Sequence, residues 1–120
     1  MKTQTLNRIK TLTPAQRGGL RFFMKRIQRR LKKQLRGVVL FGSVARGEQN
    51  KESDIDLLVL VKRLTARGEE MVYQELVEEE LQWNSHLSPI VYSWKAYQNK
   101  KALGVPFIKE VEQDGILVTA

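Results

Sequence analysis

At 120 residues, with 42% hydrophobic and 28% charged side chains, the chain is one domain by length and has enough apolar residues for a single modest core, which excludes wholesale disorder. It has no cysteine, which excludes a disulfide framework and thiolate metal sites and suits a reducing cytosol. The formal charge of +8 is unevenly spread, because 13 of the 21 Lys and Arg residues precede Glu48, the first acidic residue. Such a field attracts nucleotides, nucleic acid or an acidic partner. No apolar run approaches the ~18 residues needed to cross a bilayer, and the basic N-terminus lacks the apolar core of a signal peptide. A cytoplasmic protein with no membrane contact is expected.

Residues 1–12 show no clear period and are expected to form a flexible N-terminal arm, leaving 13–120 as the folded domain. "TPAQ" opens a helix: Thr13 suits the N-cap, Pro14 the first turn, and Gln16 completes a capping-box pattern. Leu20, Phe23, Ile27, Leu31 and Leu35 then recur at spacings of three and four, with Gly37 as the expected stop. Gly18 and Gly19 weaken the first turn and move the expected start toward Leu20.

Val38–Phe41 reads as a buried strand, "ARGEQNKES" as polar loop, and "DIDLLVLV" as a second strand buried on both faces. "GEEMVYQELVEEELQWN" reads as a helix with Met71 or Val72, Leu76 and Leu81 inward and Glu75, Glu78, Glu79 and Glu80 on the wet side. "LSPIVYS" is a third strand, which Pro89 places at an edge or a strand start. Short helices follow near Trp94–Gln98 and from Pro106, where Phe107, Ile108 and Val111 face inward. Gly115 ends the last helix before a final "ILVT" strand. The expected class is α/β (α+β), one small mixed β-sheet with helices packed against it.

Two features carry chemistry. Gly42–Ser43 directly follows a buried strand, where a glycine allows a sharp turn and a close backbone approach to a ligand. Free N–H groups and a hydroxyl there suit a phosphate. Asp54 and Asp56 lie two residues apart on a strand and so share a face, where two hard carboxylates suit Mg²⁺. Taken singly, a Gly-Ser is usually a plain turn and an Asp-x-Asp a solvated loop. In this order, with a polar loop between them, they are far more specific.

"GSVARG" followed by a short polar loop and "SDIDLLV" resembles the signature of the polymerase-beta-type nucleotidyltransferases, in particular the minimal nucleotidyltransferases of bacteria and archaea. The resemblance implies that fold. It implies that Gly42 and Ser43 grip the phosphates of ATP or another nucleoside triphosphate, that Arg46 braces the turn or a phosphate, and that Asp54 and Asp56 bind Mg²⁺ as the catalytic carboxylates. Ser53 would cap the turn into the strand. It further implies transfer of a nucleoside monophosphate to a hydroxyl on a protein or small molecule. A small helical partner of the HEPN type is implied too, the chain being the antitoxin half of a toxin–antitoxin pair.

One departure stands against this. Active members carry a third carboxylate on the strand after the helix, whereas "NSHLSPIVYSW" has no Asp or Glu, and Ser88 occupies the nearest position. Glu48, Glu52 or Glu75 would substitute only if the fold aimed them inward, and His86 is the other candidate base. The alternative reading is therefore a catalytically weakened or inactive member acting as a nucleotide- or partner-binding regulatory module. Trp83, Trp94, Tyr92 and Tyr97 are candidate adenine stackers, with core or interface roles the commoner use of such residues. The basic first helix leaves nucleic acid as a lesser reading, because no recognised motif accompanies it. Apolar positions near Phe107 and Leu117 are the candidate surface for a homo-oligomer.

Overall fold

The computed structural model describes residues 1–48 and 54–119, so the expectations for Glu52 and Ser53 lie outside the described residues. Its elements run β1 (Lys2–Thr5), α1 (Pro14–Leu31), β2 (Leu35–Phe41), α2 (Gly42–Arg46), β3 (Ile55–Val61), α3 (Ala66–Gln82), β4 (Leu87–Ser93), α4 (Trp94–Ala102), α5 (Pro106–Asp114) and β5 (Ile116–Thr119), with 3₁₀ turns at Leu6–Arg8 and Lys32–Gln34. The strands form one mixed sheet in the order β1-β5-β2-β3-β4. β2 is antiparallel to β3 and β5, while β3 pairs with β4, and β1 with β5, in parallel.

The sheet separates two apolar layers. Leu57, Val59 and Val61 face α1 and α3, among Leu20, Phe23, Ile27 and Val72. Leu58, Leu60 and Val39 face the other way, against Tyr97 of α4 and Ile108 and Val111 of α5. β3 is thus buried on both faces, as its unbroken apolar run implies. β4 is an edge strand, which accommodates Pro89.

Several expectations need correcting. Residues 1–12 are not a loose arm: Lys2–Thr5 pair with Ile116–Thr119, and Leu6, Ile9 and Leu12 are buried. No period reveals this, because the segment is a short polar edge strand followed by a turn.

α1 starts at Pro14 with the Thr13–Gln16 capping box complete, not at Leu20. Gly18 and Gly19 stay helical because α3 comes close: a Cβ on Gly18 would strike the Trp83 ring, and one on Gly19 would strike Ser85 and Glu79. The helix stops at Leu31, and Lys32 takes a φ of 52° as its C-cap. Leu35 and Gly37 belong to β2, at a register shift where a Cβ on Gly37 would lie 2.9 Å from Leu117.

On α3 the phase is also shifted. Leu81 is 76% exposed while Glu75 and Glu79 are buried. Arg26 and Arg30 of α1 pair with the Glu75 carboxylate, and the Glu79 carboxylate accepts from the Ser85 backbone N–H at 3.2 Å. Charge made these two glutamates read as solvated, but α1 supplies the partners of Glu75, and the turn after α3 pairs one oxygen of Glu79 while its Oε1 stays buried without a hydrogen-bond partner among the described residues.

Candidate functional site

The β2–α2 junction is built by two glycines and one buried anchor. Phe41 leaves the strand extended, Gly42 takes a φ of 76°, and α2 begins at once, with no side chain capping its first N–H groups. Val44 is fully buried and fixes the turn to the core. Gly47, at a φ of 74°, closes the other end, and the Glu48 N–H donates to the Ser43 carbonyl at 2.9 Å. "GSVAR", read as turn and loop, is therefore a single short helix whose first residues, Gly42 and Ser43, open on the cleft.

β3 supplies the carboxylates. Asp56 lies directly opposite Phe41 on β2 and beside Ser88 on β4. Paired residues of neighbouring strands project to the same side, so Phe41, Asp56 and Ser88 form one row across the α5 face of the sheet. Asp54 is exposed, one residue ahead of the strand. The space that a side chain on Gly42 would need is filled by the Asp56 carboxylate. Burial pushes the Asp56 carboxyl above the usual carboxylate range, the nearby Asp54 charge adds to this, and Arg46 opposes it.

A cleft of about 350 Å³ opens above this row, between the Gly42–Ser43 turn, Arg46 and Asp56 on one wall and Phe107, Glu110 and Asp114 of α5 on the other. Phe107 meets Phe41 edge to face, with ring centres 5.3 Å apart. Arg46 donates to Glu48 at 3.0 Å; this bond, with lesser help from the charges of Glu48, Asp114 and Glu110, holds its guanidinium above the usual arginine value against the opposing effect of desolvation.

Sequence reasoning missed the three α5 residues. Their spacing of three and four behind Pro106 could have revealed a stripe flanking buried Ile108 and Val111.

The structure does not bring the other candidates together. Glu75 is occupied between α1 and α3, on the opposite side of the sheet from Asp56. Glu48 is tied to Arg46. His86 is exposed at a φ of 61°, and its carbonyl accepts from the Ile55 N–H. None of the four proposed stackers lines the cleft. Trp83 covers Gly18, Tyr97 is buried, and Trp94 stacks on Tyr97 beneath Arg36. Tyr92 packs on Phe107. Phe107 and Leu117, considered for self-association, pack against the core under α5.

Two carboxylates of like charge, Asp56 being raised first by burial and then by Asp54, form a set that a cation would relieve. Among the described residues no group of three or more Asp, Glu, His or Cys is placed to hold a metal. The donors present therefore fit an ion that takes two protein carboxylates and completes its shell with phosphate oxygens and water, as Mg²⁺ does.

A mixed sheet with a glycine-serine turn leaving one strand beside an aspartate on the next is the architecture of a nucleotidyltransferase of the polymerase-beta type. A family model for the nucleotidyltransferase domain matches residues 21–118, and the chain belongs to that family, which makes it a transferase. It is 38% identical over 97 residues, spanning 80% of this chain and 91% of the relative, to a Methanocaldococcus jannaschii protein named "Putative protein adenylyltransferase MJ0141". Its fold is similar to a crystal structure of a toxin–antitoxin with AMP-PNP, at 21% identity and a TM-score of 0.51 over 78% of this chain and 67% of that one. No helix among the described residues is long and apolar enough to cross a membrane.

Proposed function

We propose that the cleft binds a nucleoside triphosphate with Mg²⁺ and that the chain transfers the nucleotidyl group, AMP from ATP, to a hydroxyl on a protein or small molecule. The observation that carries this reading is the contact between Gly42 and the Asp56 carboxylate, which sets a phosphate-sized turn against a candidate metal ligand. Gly42 and Ser43 would hold the phosphates through backbone N–H groups and the hydroxyl, while Arg46 would take a non-bridging oxygen. Asp54 and Asp56 would hold the metal. When bound, Mg²⁺ supplies charge neutralisation for the phosphate oxygens. The name of the M. jannaschii relative supports a protein acceptor, and the toxin–antitoxin neighbour supports a partner protein, for which we propose a small helical protein of the HEPN type.

Incubation with Mg²⁺, α-labelled ATP and the product of the neighbouring gene tests this, read by label transfer and intact mass. Loss of Mg·ATP binding in Asp54→Asn with Asp56→Asn is expected. Unchanged calorimetric affinity in that double variant would reject the metal assignment.

One observation favours a second reading. Ser88, beside Asp56 in the row, is not acidic, so the position that would complete the carboxylate set is filled by a hydroxyl. A regulatory member that binds nucleotide without turning it over would show Mg·ATP binding and no label transfer to any acceptor.

A further inference from the structure

We propose that Glu110 of α5 accepts the proton of the attacking hydroxyl, in place of an acid on β4. This rests on the nucleotidyl-transfer reading above. β4 offers only Ser88 next to Asp56, and no Asp or Glu occurs anywhere on that strand. The carboxylates that reach the cleft from the opposite side are Glu110 and Asp114.

α5 is a firm mount for them. Ile108 and Val111 are 1% and 0% exposed beneath it, and Phe107 is set against Phe41. The two acids differ in surroundings. Asp114 is half-buried near the C-terminal end of α5; both acids contribute to the field on Arg46, so burial is what separates them, and Asp114, the more buried, suits a positioning role for that guanidinium. Glu110 is exposed at the mouth and has no hydrogen bond to another described residue, so it is free to take a proton from an incoming group. Glu112, the third α5 carboxylate, accepts from the Tyr97 hydroxyl and lies 3.6 Å from Lys101, away from the cleft.

The balance is simple. The hydroxyl oxygen bonds to the α-phosphorus, its proton passes to the Glu110 carboxylate, and the bond from the α-phosphorus to the bridging oxygen breaks. Pyrophosphate leaves with that electron pair. No oxidant or reductant is involved.

The test uses the full chain with Mg·ATP, water being the attacking hydroxyl and pyrophosphate release the signal. Removing a general base lowers turnover by about 10²–10⁴-fold. Glu110→Gln should therefore lose that much in kcat and narrow the acidic limb of the pH–rate profile to the part that Asp56 contributes, with an unchanged melting temperature and a Mg·ATP affinity within about twofold. Glu110→Asp should keep part of the rate and the limb. Asp114→Asn should act chiefly on KM, through Arg46. Parent kcat and an unaltered acidic limb in Glu110→Gln would overturn the proposal while leaving nucleotidyl transfer intact. A parent that binds Mg·ATP but releases no pyrophosphate, with either water or the product of the neighbouring gene as acceptor, overturns it too, in favour of the regulatory reading. A parent that binds no Mg·ATP overturns both.

Discussion

Gly42 and Asp56 hold one another in place. The glycine adopts a φ of 76°, and the position its Cβ would occupy is taken by the Asp56 carboxylate. Two separate constraints, one on backbone torsion and one on volume, therefore meet at a single residue. Gly42→Val should lose on both counts. A left-handed torsion costs a residue with a Cβ about 1–2 kcal/mol, and the collision displaces Asp56 as well. We expect a lower denaturation midpoint and no measurable Mg·ATP binding. A variant that binds as the parent does would show that the turn relaxes freely.

Ser43 opens on the same cleft without Gly42's torsional demand. Ser43→Ala should fold normally and lose one hydrogen bond to a charged phosphate, about 1.5–3 kcal/mol, or a tenfold to hundredfold weaker affinity. Calorimetry against Mg·ATP reads this directly, and unchanged affinity would reduce the serine to a turn residue.

The Asp56 carboxyl titrates above the usual range, raised first by burial and then by Asp54. Its sign is the reverse of a salt-bridged acid, because the folded chain holds this proton more tightly than the unfolded chain does. The stabilising contribution is complete below the ordinary value of about 3.9 and is lost as pH rises through the elevated folded value. With chelator present, Asp56→Asn should remove that part of the pH dependence and melt no lower than the parent at neutral pH. Mg²⁺ should stabilise the parent at neutral pH, and this effect should fade as the solution is acidified into the elevated titration. An Asn variant with the parent's melting profile across this window would contradict the assignment.

Ser88 stands beside Asp56 in parallel register, on the same face. Ser88→Asp should place a third carboxylate there and, in a Glu110→Gln background, restore Mg²⁺-dependent transfer by up to the 10²–10⁴-fold typical of a general base, while adding little to the parent. The gain should vanish in an Asp54→Asn background, and the same acid at His86 or Ile90 should do less. A gain of that size in the parent itself would mean that the site lacks a base and would count against Glu110.

Removing residues 1–12 tests the correction to the arm. Leu6, Ile9 and Leu12 are 2%, 2% and 4% exposed, and each fully buried aliphatic side chain contributes about 1.5–3 kcal/mol. The truncated chain should lose several kcal/mol and expose the β5 edge. A chemical denaturation midpoint equal to the parent's would restore the flexible arm.

What could be read in advance followed strong local signals. The Thr13–Gln16 box, the unbroken apolar run of β3, and the punctuation by Pro89, Pro106 and Gly115 carried most elements. Of the Gly-Ser turn and the Asp-x-Asp pair, the structure sets Asp56 beside Gly42, while Asp54 lies one residue ahead of the strand. What escaped depended on tertiary partners. Glu75 and Glu79 look solvated until Arg26, Arg30 and the Ser85 N–H reach them. Gly37 reads as a helix stop until Leu117 is seen lying against it. The α5 wall of the cleft was invisible because Glu110 and Asp114 are distant in sequence from the motif and belong to a helix short enough to show only its buried side.

The pairing of β1 with β5 also fixes an order of events. Lys2 meets Ile116 and Thr5 meets Thr119, so the first strand of this fold finds its neighbour only in the fifth. Contacts of such long sequence separation carry a large closure entropy and form late. On the ribosome, β2, β3 and α3 can assemble around the nucleotide turn while Leu6, Ile9 and Leu12 still wait. Completion of the sheet, and with it the sealing of the α1 layer, is therefore expected to follow formation of β5.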